Sequence, residues 1–222
     1  MSTKQTEQAP IAVDEVLSKS EAFVNKYKKA IVGAVVVVIL LIGGSVLYKN
    51  HVVAPAEKEA AEALFAAQAL FNEGKFQEAI DGDGVNLGLI AIVDEYGSTK
   101  SGNLANAYAG MALAQLGKYD EAIPYLQDFD GGDQMVGPAA LGTLGNCYAQ
   151  IGNNDKAISS FLDAAESASN NTISPYYLFQ AGIIYEQTGK ANKALKLYEE
   201  IKNDYPTSLQ AMDIDRYINR VK

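Results

Sequence analysis

The ten-residue phrase FNEGKFQEAI around Gly74 returns three more times, as AQLGKYDEAI at Gly117, AQIGNNDKAI at Gly152 and EQTGKANKAL at Gly189. The glycines lie 43, 35 and 37 residues apart. A phrase that recurs with a period in the mid-thirties confines a chain to stacked copies of one supersecondary unit, each too small to bury its own apolar face. Within each copy the glycine supplies the left-handed conformation that ends a helix. Five residues later stands an alanine (Ala79, Ala122, Ala157, Ala194), and seven residues earlier another small residue (Ala67, Gly110, Gly145, Gly182). Small residues at both places let two helices cross closely. Leu70, Leu113, Tyr148 and Tyr185 fill the space between the crossing helices from one side, and Leu126, Phe161 and Tyr198 fill it from the other.

This grammar closely resembles the tetratricopeptide repeat over nearly all of residues 57–222. The resemblance implies an all-α fold for that region, an α-solenoid of about four helix pairs, with Tyr205 and Pro206 at the usual end of the last repeat. Ser208 to Val221 is expected to be one amphipathic capping helix with Leu209, Met212, Ile214, Tyr217, Ile218 and Val221 as its apolar positions. Such a cap covers the apolar face that the last repeat leaves open. Two stretches depart from a plain repeat. DGDGVNLG at 81–88 holds too much glycine and aspartate for a helix interior, and DFDGGDQ at 128–134 is an acidic loop where a proline is usual.

Ahead of the repeats, residues 30–48 run for nineteen positions without a formal charge. At about 1.5 Å per residue a helix of that length covers roughly the hydrocarbon thickness of a bilayer. Lys26, Lys28 and Lys29 precede the run, while Glu57, Glu59 and Glu62 follow it. Basic residues stay on the cytoplasmic side, so the expected order is a cytoplasmic segment with a short amphipathic helix (1–29), a single transmembrane signal anchor (30–48), a linker (49–56) and a repeat domain beyond the membrane (57–222). In a bacterium this is an inner-membrane protein with a periplasmic array. Ala54-Pro55-Ala56 resembles a signal-peptidase site, but Lys49 and His51 separate it from the apolar run, which is also longer than a cleaved signal's. Residues 1–10 are polar and expected to be disordered.

The charge balance excludes some partners. From Lys49 onward there are 13 basic against 23 acidic residues, the opposite of a nucleic-acid-binding face. Cys147 is alone, so it forms no internal disulfide, and without a histidine partner it is no nucleophile. His51 has no second histidine or nearby cysteine to share a metal. The aspartates at 81–83 and 128–133 fail the calcium-loop pattern, whose fifth, sixth and twelfth places hold Val85, Asn86 and Ile92 in one stretch and Gly132, Asp133 and Ala139 in the other. Asn170-Asn171-Thr172 spells a glycosylation sequon in what reads as a short loop. No phosphate loop or nucleophile elbow is present, and neither catalysis nor a cofactor is expected.

In a repeat array the first helix of each pair lines a groove. The register puts Leu64, Gln68 and Phe71 there from the first repeat, Met111 and Gln115 from the second, and Asn146 and Gln150 from the third. Tyr176, Phe179, Ile183 and Gln187 follow from the fourth. The set is apolar and amide-bearing. It lacks the lysines and arginines with which some tetratricopeptide modules clamp an acidic C-terminal peptide, and it suits extended or partly folded polypeptide.

An N-terminal anchor, a short charged leader and an acidic repeat domain together resemble the YfgM-type proteins. That resemblance implies an ancillary periplasmic chaperone or adaptor at the SecYEG translocon, acting beside a PpiD-like chaperone on exported polypeptides. Two other readings remain open on the residues: a scaffold subunit of another envelope complex, for outer-membrane assembly, secretion or cell division, and a regulatory module signalling through residues 11–27.

Overall fold

A computed structural model describes the backbone of residues 11–222 and the side chains of residues 26–222. The expectation for residues 1–10, and that of an apolar stripe over 11–25, lie outside the described residues. The chain divides into two compact bodies, Met1–Ala54 and Pro55–Lys222.

The described residues of the first body are helical. Helix α1 spans Ile11–Tyr48, so the expected leader helix and the uncharged run form one element. Its valines, leucines and isoleucines between Ile31 and Leu47 are all exposed. The apolar window reaches a mean hydropathy of 2.9 with none of it buried, which makes it long and apolar enough to cross a membrane. The backbone continues as a π-helical turn over Lys49–Val53. The stretch 49–56, read as a linker, is helical.

The second body is a stack of helix pairs. The first repeat pairs α2 (Ala54–Asn72) with a second helix broken in two, α3 (Phe76–Asp81) and α4 (Leu89–Tyr96). The next three pair α5 (Lys100–Gln115) with α6 (Tyr119–Asp128), α7 (Val136–Gln150) with α8 (Asn154–Ala168), and α9 (Ser174–Gln187) with α10 (Ala191–Asp204). Helix α11 (Ile214–Val221) closes the series against α10. Both halves of the broken helix pack on α5, α6 packs on α7, and α8 on α9, so each repeat buries the next one's apolar face.

The four turns are built alike. Gly74, Gly117, Gly152 and Gly189 have φ between +73° and +79°, where a side chain would be strained. The amide of the following residue reaches back five residues, from Lys75 to Leu70 O (3.0 Å), Lys118 to Leu113 O (3.0 Å), Asn153 to Tyr148 O (2.8 Å) and Lys190 to Tyr185 O (2.8 Å). This is the Schellman closure of a helix C-terminus.

The small-residue crossing is as close as the sequence requires. A methyl group on Gly110 would lie 2.5 Å from Leu126 Cγ, one on Gly145 2.8 Å from the Phe161 ring, and one on Gly182 2.5 Å from the Tyr198 ring. Ala79, Ala122, Ala157 and Ala194 are fully buried.

The two irregular stretches close on themselves. Asp83 accepts from the backbone of Val85 (2.9 Å) and Asn86 (2.7 Å) and from the Asn86 amide (2.8 Å), while Gly82 and Leu87 form a bridge. Gly88 sits so tightly that an added methyl would strike Ile80 O at 2.2 Å. At 128–134 the Asn103 carboxamide pairs with both backbone groups of Asp130, at 2.7 and 2.9 Å, and Asp133 accepts from Met135 (2.8 Å) and Val136 (2.6 Å) at the start of α7. A side-chain amide thus fixes the loop where a proline was expected.

The cap differs from its expected form. Gln210–Asp213 is a 3-10 turn, and only Ile214–Val221 is α-helical. Ser208 Oγ accepts from Ala211 N at 3.2 Å, and the amides of Ala211 and Met212 bond three residues back. Residues i and i+3 eclipse in such a turn, which leaves Leu209 and Met212 on one side, 75% and 77% exposed, while Ile214 and Ile218 are buried.

Candidate functional site

The first helices of the second, third and fourth pairs, α5, α7 and α9, differ in make-up from the second helices; α2 carries Glu57, Lys58, Glu59 and Glu62 toward its start. Helices α5, α7 and α9 hold one lysine between them, Lys100 in the first turn of α5, and one carboxylate, Glu186. Helix α7 has no formal charge at all. The second helices α6, α8 and α10 carry charges along their lengths. An acidic array thus presents one nearly uncharged face.

Glu186 is itself closed. Its Oε2 accepts from the Tyr198 hydroxyl (3.1 Å) and from Arg220 Nη2 (2.9 Å). The Arg220 guanidinium lies 4.6 Å from the centroid of the Tyr217 ring, and that ring meets Phe179 edge-on at 4.8 Å. Burial, together with the Glu186 carboxylate, pushes the Tyr198 phenol well above its ordinary range, so it stays a donor.

The predicted groove residues separate by exposure. Gln115, Asn146, Gln150, Gln187 and Tyr176 are exposed; Gln68, Phe71, Met111, Phe179 and Ile183 are half-buried. Leu64 does not belong to the set: it is 4% exposed and sits in the core. Phe71 is engaged by the rings of Phe76 (5.3 Å) and Tyr108 (5.2 Å), and Phe179 by Tyr198 and Tyr217. Their rings serve first to join neighbouring helices. Ile183 is half-buried without packing on the core.

Sequence reading missed three features of this face. Tyr108 and Thr143 fall in the same i, i+3, i+7 rows as Met111 and Asn146, and both are half-exposed. Glu57 was taken only as a charge following the apolar run. Its carboxylate instead accepts from Lys100 N (2.6 Å), Ser101 N (3.2 Å) and Ser101 Oγ (2.7 Å), which anchors α2 to the start of α5. At the far end, the first turns of α7 and α9 and residues 207–210 enclose a cavity of about 500 Å³. Met135, Tyr176 and Leu209 form its apolar walls, exposed by 77%, 41% and 75%.

The amide donors around Asp83 hold its carboxyl down to about 2, and those at Met135 and Val136 lower that of Asp133. Cys147 is fully buried, and burial pushes its thiol up to about 11, where the reactive thiolate is negligible at neutral pH. Among the described residues no cluster of three His, Cys, Asp or Glu could hold a metal ion.

Models of the tetratricopeptide repeat match residues 102–129 and 138–171, and a further model of the same repeat matches 176–208. Residues 102–208 of the second body are three tetratricopeptide repeats. The matches cover the second, third and fourth repeats; the first, with its broken second helix, lies outside them. Among solved structures the chain is similar to YrrB, described as a tetratricopeptide-repeat protein with an unusual peptide-binding site. The identity is 20% and the TM-score 0.51, over 71% of this chain and 74% of that one. It is also similar to the nearly identical repeats of a putative kinesin light chain from Podosopora anserina, at 14% identity and TM-score 0.56, over 74% and 86% of the two chains. No curated protein matches the sequence. Tetratricopeptide repeats mark a protein-interaction module, and YfgM-type membership does not follow from these matches.

Proposed function

We propose that the chain is a non-enzymatic bacterial inner-membrane protein whose first-helix face holds segments of polypeptide at the exit of the Sec translocon. The carrying observation is the near absence of formal charge on α5, α7 and α9 in an otherwise acidic array. A newly exported chain offers apolar side chains and unpaired peptide groups, which rings and carboxamides complement with little regard to sequence. The exposed apolar run in α1, with lysines before it and glutamates after it, supports an anchor with its N-terminus in the cytoplasm and the array in the periplasm. Such an anchor raises the effective concentration of a weak groove at the translocon. The similarly folded YrrB, described as having a peptide-binding site, lends the reading general support.

The test is crosslinking in native membranes with mass spectrometry of what the full chain captures. Translocon subunits, a PpiD-like chaperone and many exported chains are the expected catch. One stoichiometric envelope protein without translocon subunits contradicts the reading and supports a scaffold instead. That second reading has one observation in its favour: the cavity of about 500 Å³ walled by Met135, Tyr176 and Leu209 offers a localised apolar hollow that a single defined partner could fill.

A further inference from the structure

We infer that the chain associates with a second copy of itself through its cap, Met212 of each copy seating in the hollow walled by Met135, Tyr176 and Leu209 of the other. This goes beyond the groove reading above, and it assigns Tyr176, one of the groove residues, to a contact between copies.

The cap of a repeat array ordinarily turns a polar outer face to water. Here the 3-10 turn over Gln210–Asp213 turns Leu209 and Met212 outward, 75% and 77% exposed. The turn is held by its own bonds, with Ser208 Oγ and Ser208 O both accepting from Ala211 N at 3.2 Å. The two apolar side chains are therefore presented together by a defined piece of backbone.

A knob and a hollow stand side by side on this patch. Leu209 is a wall of the cavity of about 500 Å³, and Met212 is not among its lining residues. Three residues of 3-10 turn at about 2 Å each set Met212 about 6 Å further along the backbone. No lining residue of the hollow carries a formal charge. A two-fold symmetric contact needs a patch that complements itself. Met212 of each copy entering the hollow of the other satisfies that need twice, and an unbranched thioether adapts to an irregular cavity.

Charge admits a second copy at this place. Residues 49–204 hold 10 basic against 21 acidic residues, whereas residues 205–222 hold three against two. Two copies repel each other over the first stretch and not over the second. Within the cap Asp215 pairs with Lys202, and Arg220 with Glu186. Asp213 and Arg216 are exposed, and among the described residues neither is in an ion pair. They leave one acid and one base beside Met212, so a two-fold contact sets Asp213 of each copy toward Arg216 of the other. Exposed pairs of this kind fix register more than they add strength.

Helix α2 offers a competing knob, because Phe65 is 76% exposed. Its entry into the hollow of a neighbouring copy would be a heterologous contact, which runs on into an open chain instead of closing as a pair.

The experiment separates the two on the full chain. Copies with Met135→Cys and copies with Met212→Cys, carrying different tags, are co-expressed and treated in native membranes with a short bismaleimide. Cys147 is fully buried and stays out of the reaction. The expected product joins position 135 of one tag to position 212 of the other, with none formed when Phe65→Cys replaces Met212→Cys. Joining of 135 to 65, or of 135 to a different protein and never to 212, overturns the inference. Light scattering in detergent micelles, with the detergent mass subtracted, gives a second readout. The native chain and Phe65→Asp are expected at the mass of two chains, and Met212→Asp at half that mass, with thermal midpoints unchanged because both sites are exposed. A native chain with the mass of one, or Met212→Asp with the mass of two, overturns the contact.

Discussion

The two helices of the second, third and fourth repeats solve different problems. First helices α5 and α7 carry glycine where the pair crosses, Gly110 and Gly145, and almost no charge; second helices α6 and α8 supply Leu126 and Phe161 to that crossing and charges to their outer sides. In the fourth repeat Gly182 receives Tyr198 in the same way. The division teaches that one stripe of small residues does two things. It lets the helices close on each other, and it leaves a face whose remaining side chains are free of charges needed elsewhere. Solubility is left to the second helices and the turns, where the acidic excess lies.

The largest effect should come from exchanging these roles. Gly182→Leu drives a side chain into the Tyr198 ring, which a methyl group would already meet at 2.5 Å. The expected cost is about 3 kcal/mol, against less than about 0.5 kcal/mol for Ser159→Leu on the exposed side of α8. Urea-denaturation midpoints of the full chain compare the two. Equal midpoints would mean that the crossing is not close-packed.

A smaller effect sharpens the charge contrast. Arg220→Ala removes the cation from Glu186, whose side chain is 23% exposed against 48% for Arg220. With that much solvent screening the stability loss should be small, well below that of Gly182→Leu. A blocked peptide containing one lysine should then bind better than to the native chain, because the face has acquired an unclosed carboxylate. Unchanged lysine-peptide binding would show that Glu186 does not face the occupant.

The smallest effect belongs to a loop outside both helix sets. Asp83 has its folded pKa depressed to about 2 by the amides of Asn86 and Val85. Its contribution is therefore present above the unfolded carboxyl range and lost as pH falls through about 2. The amide resonances of Val85 and Asn86 should move together with a midpoint near 2 while those of α7 stay fixed. A midpoint near 4 would show that the Asp83 turn does not form.

The crossing was legible in the sequence because four copies report it. Gly110, Gly145 and Gly182 stand at one register, and each meets the ring or branched side chain its copy predicts. Exposure was less legible. Leu64 and Phe179 both stand three residues before the small crossing residue, yet Leu64 is buried and Phe179 is shared among rings of α10 and α11. Register fixes the direction of a side chain, but what covers it depends on the neighbouring repeat. The cap was misread for a local reason: Leu209 and Met212 fit a helical stripe, while Ser208 diverts the backbone into a 3-10 turn that a hydropathy pattern does not register. Glu57 and Asn103 were invisible because each acts on backbone groups distant in sequence, Lys100 and Ser101 for one and Asp130 for the other.

The claim that the uncharged face is the binding face is tested most directly within one repeat. Asn146 on α7 and Ser159 on α8 are both exposed, one on each kind of helix. Each would be replaced in turn by benzoylphenylalanine in the full chain, and a fluorescein-labelled ten-residue peptide of Ala, Val, Ser and Thr with blocked ends photocrosslinked to it. Capture from position 146 with none from position 159 is the predicted result; capture from 159 and not from 146 would contradict the account.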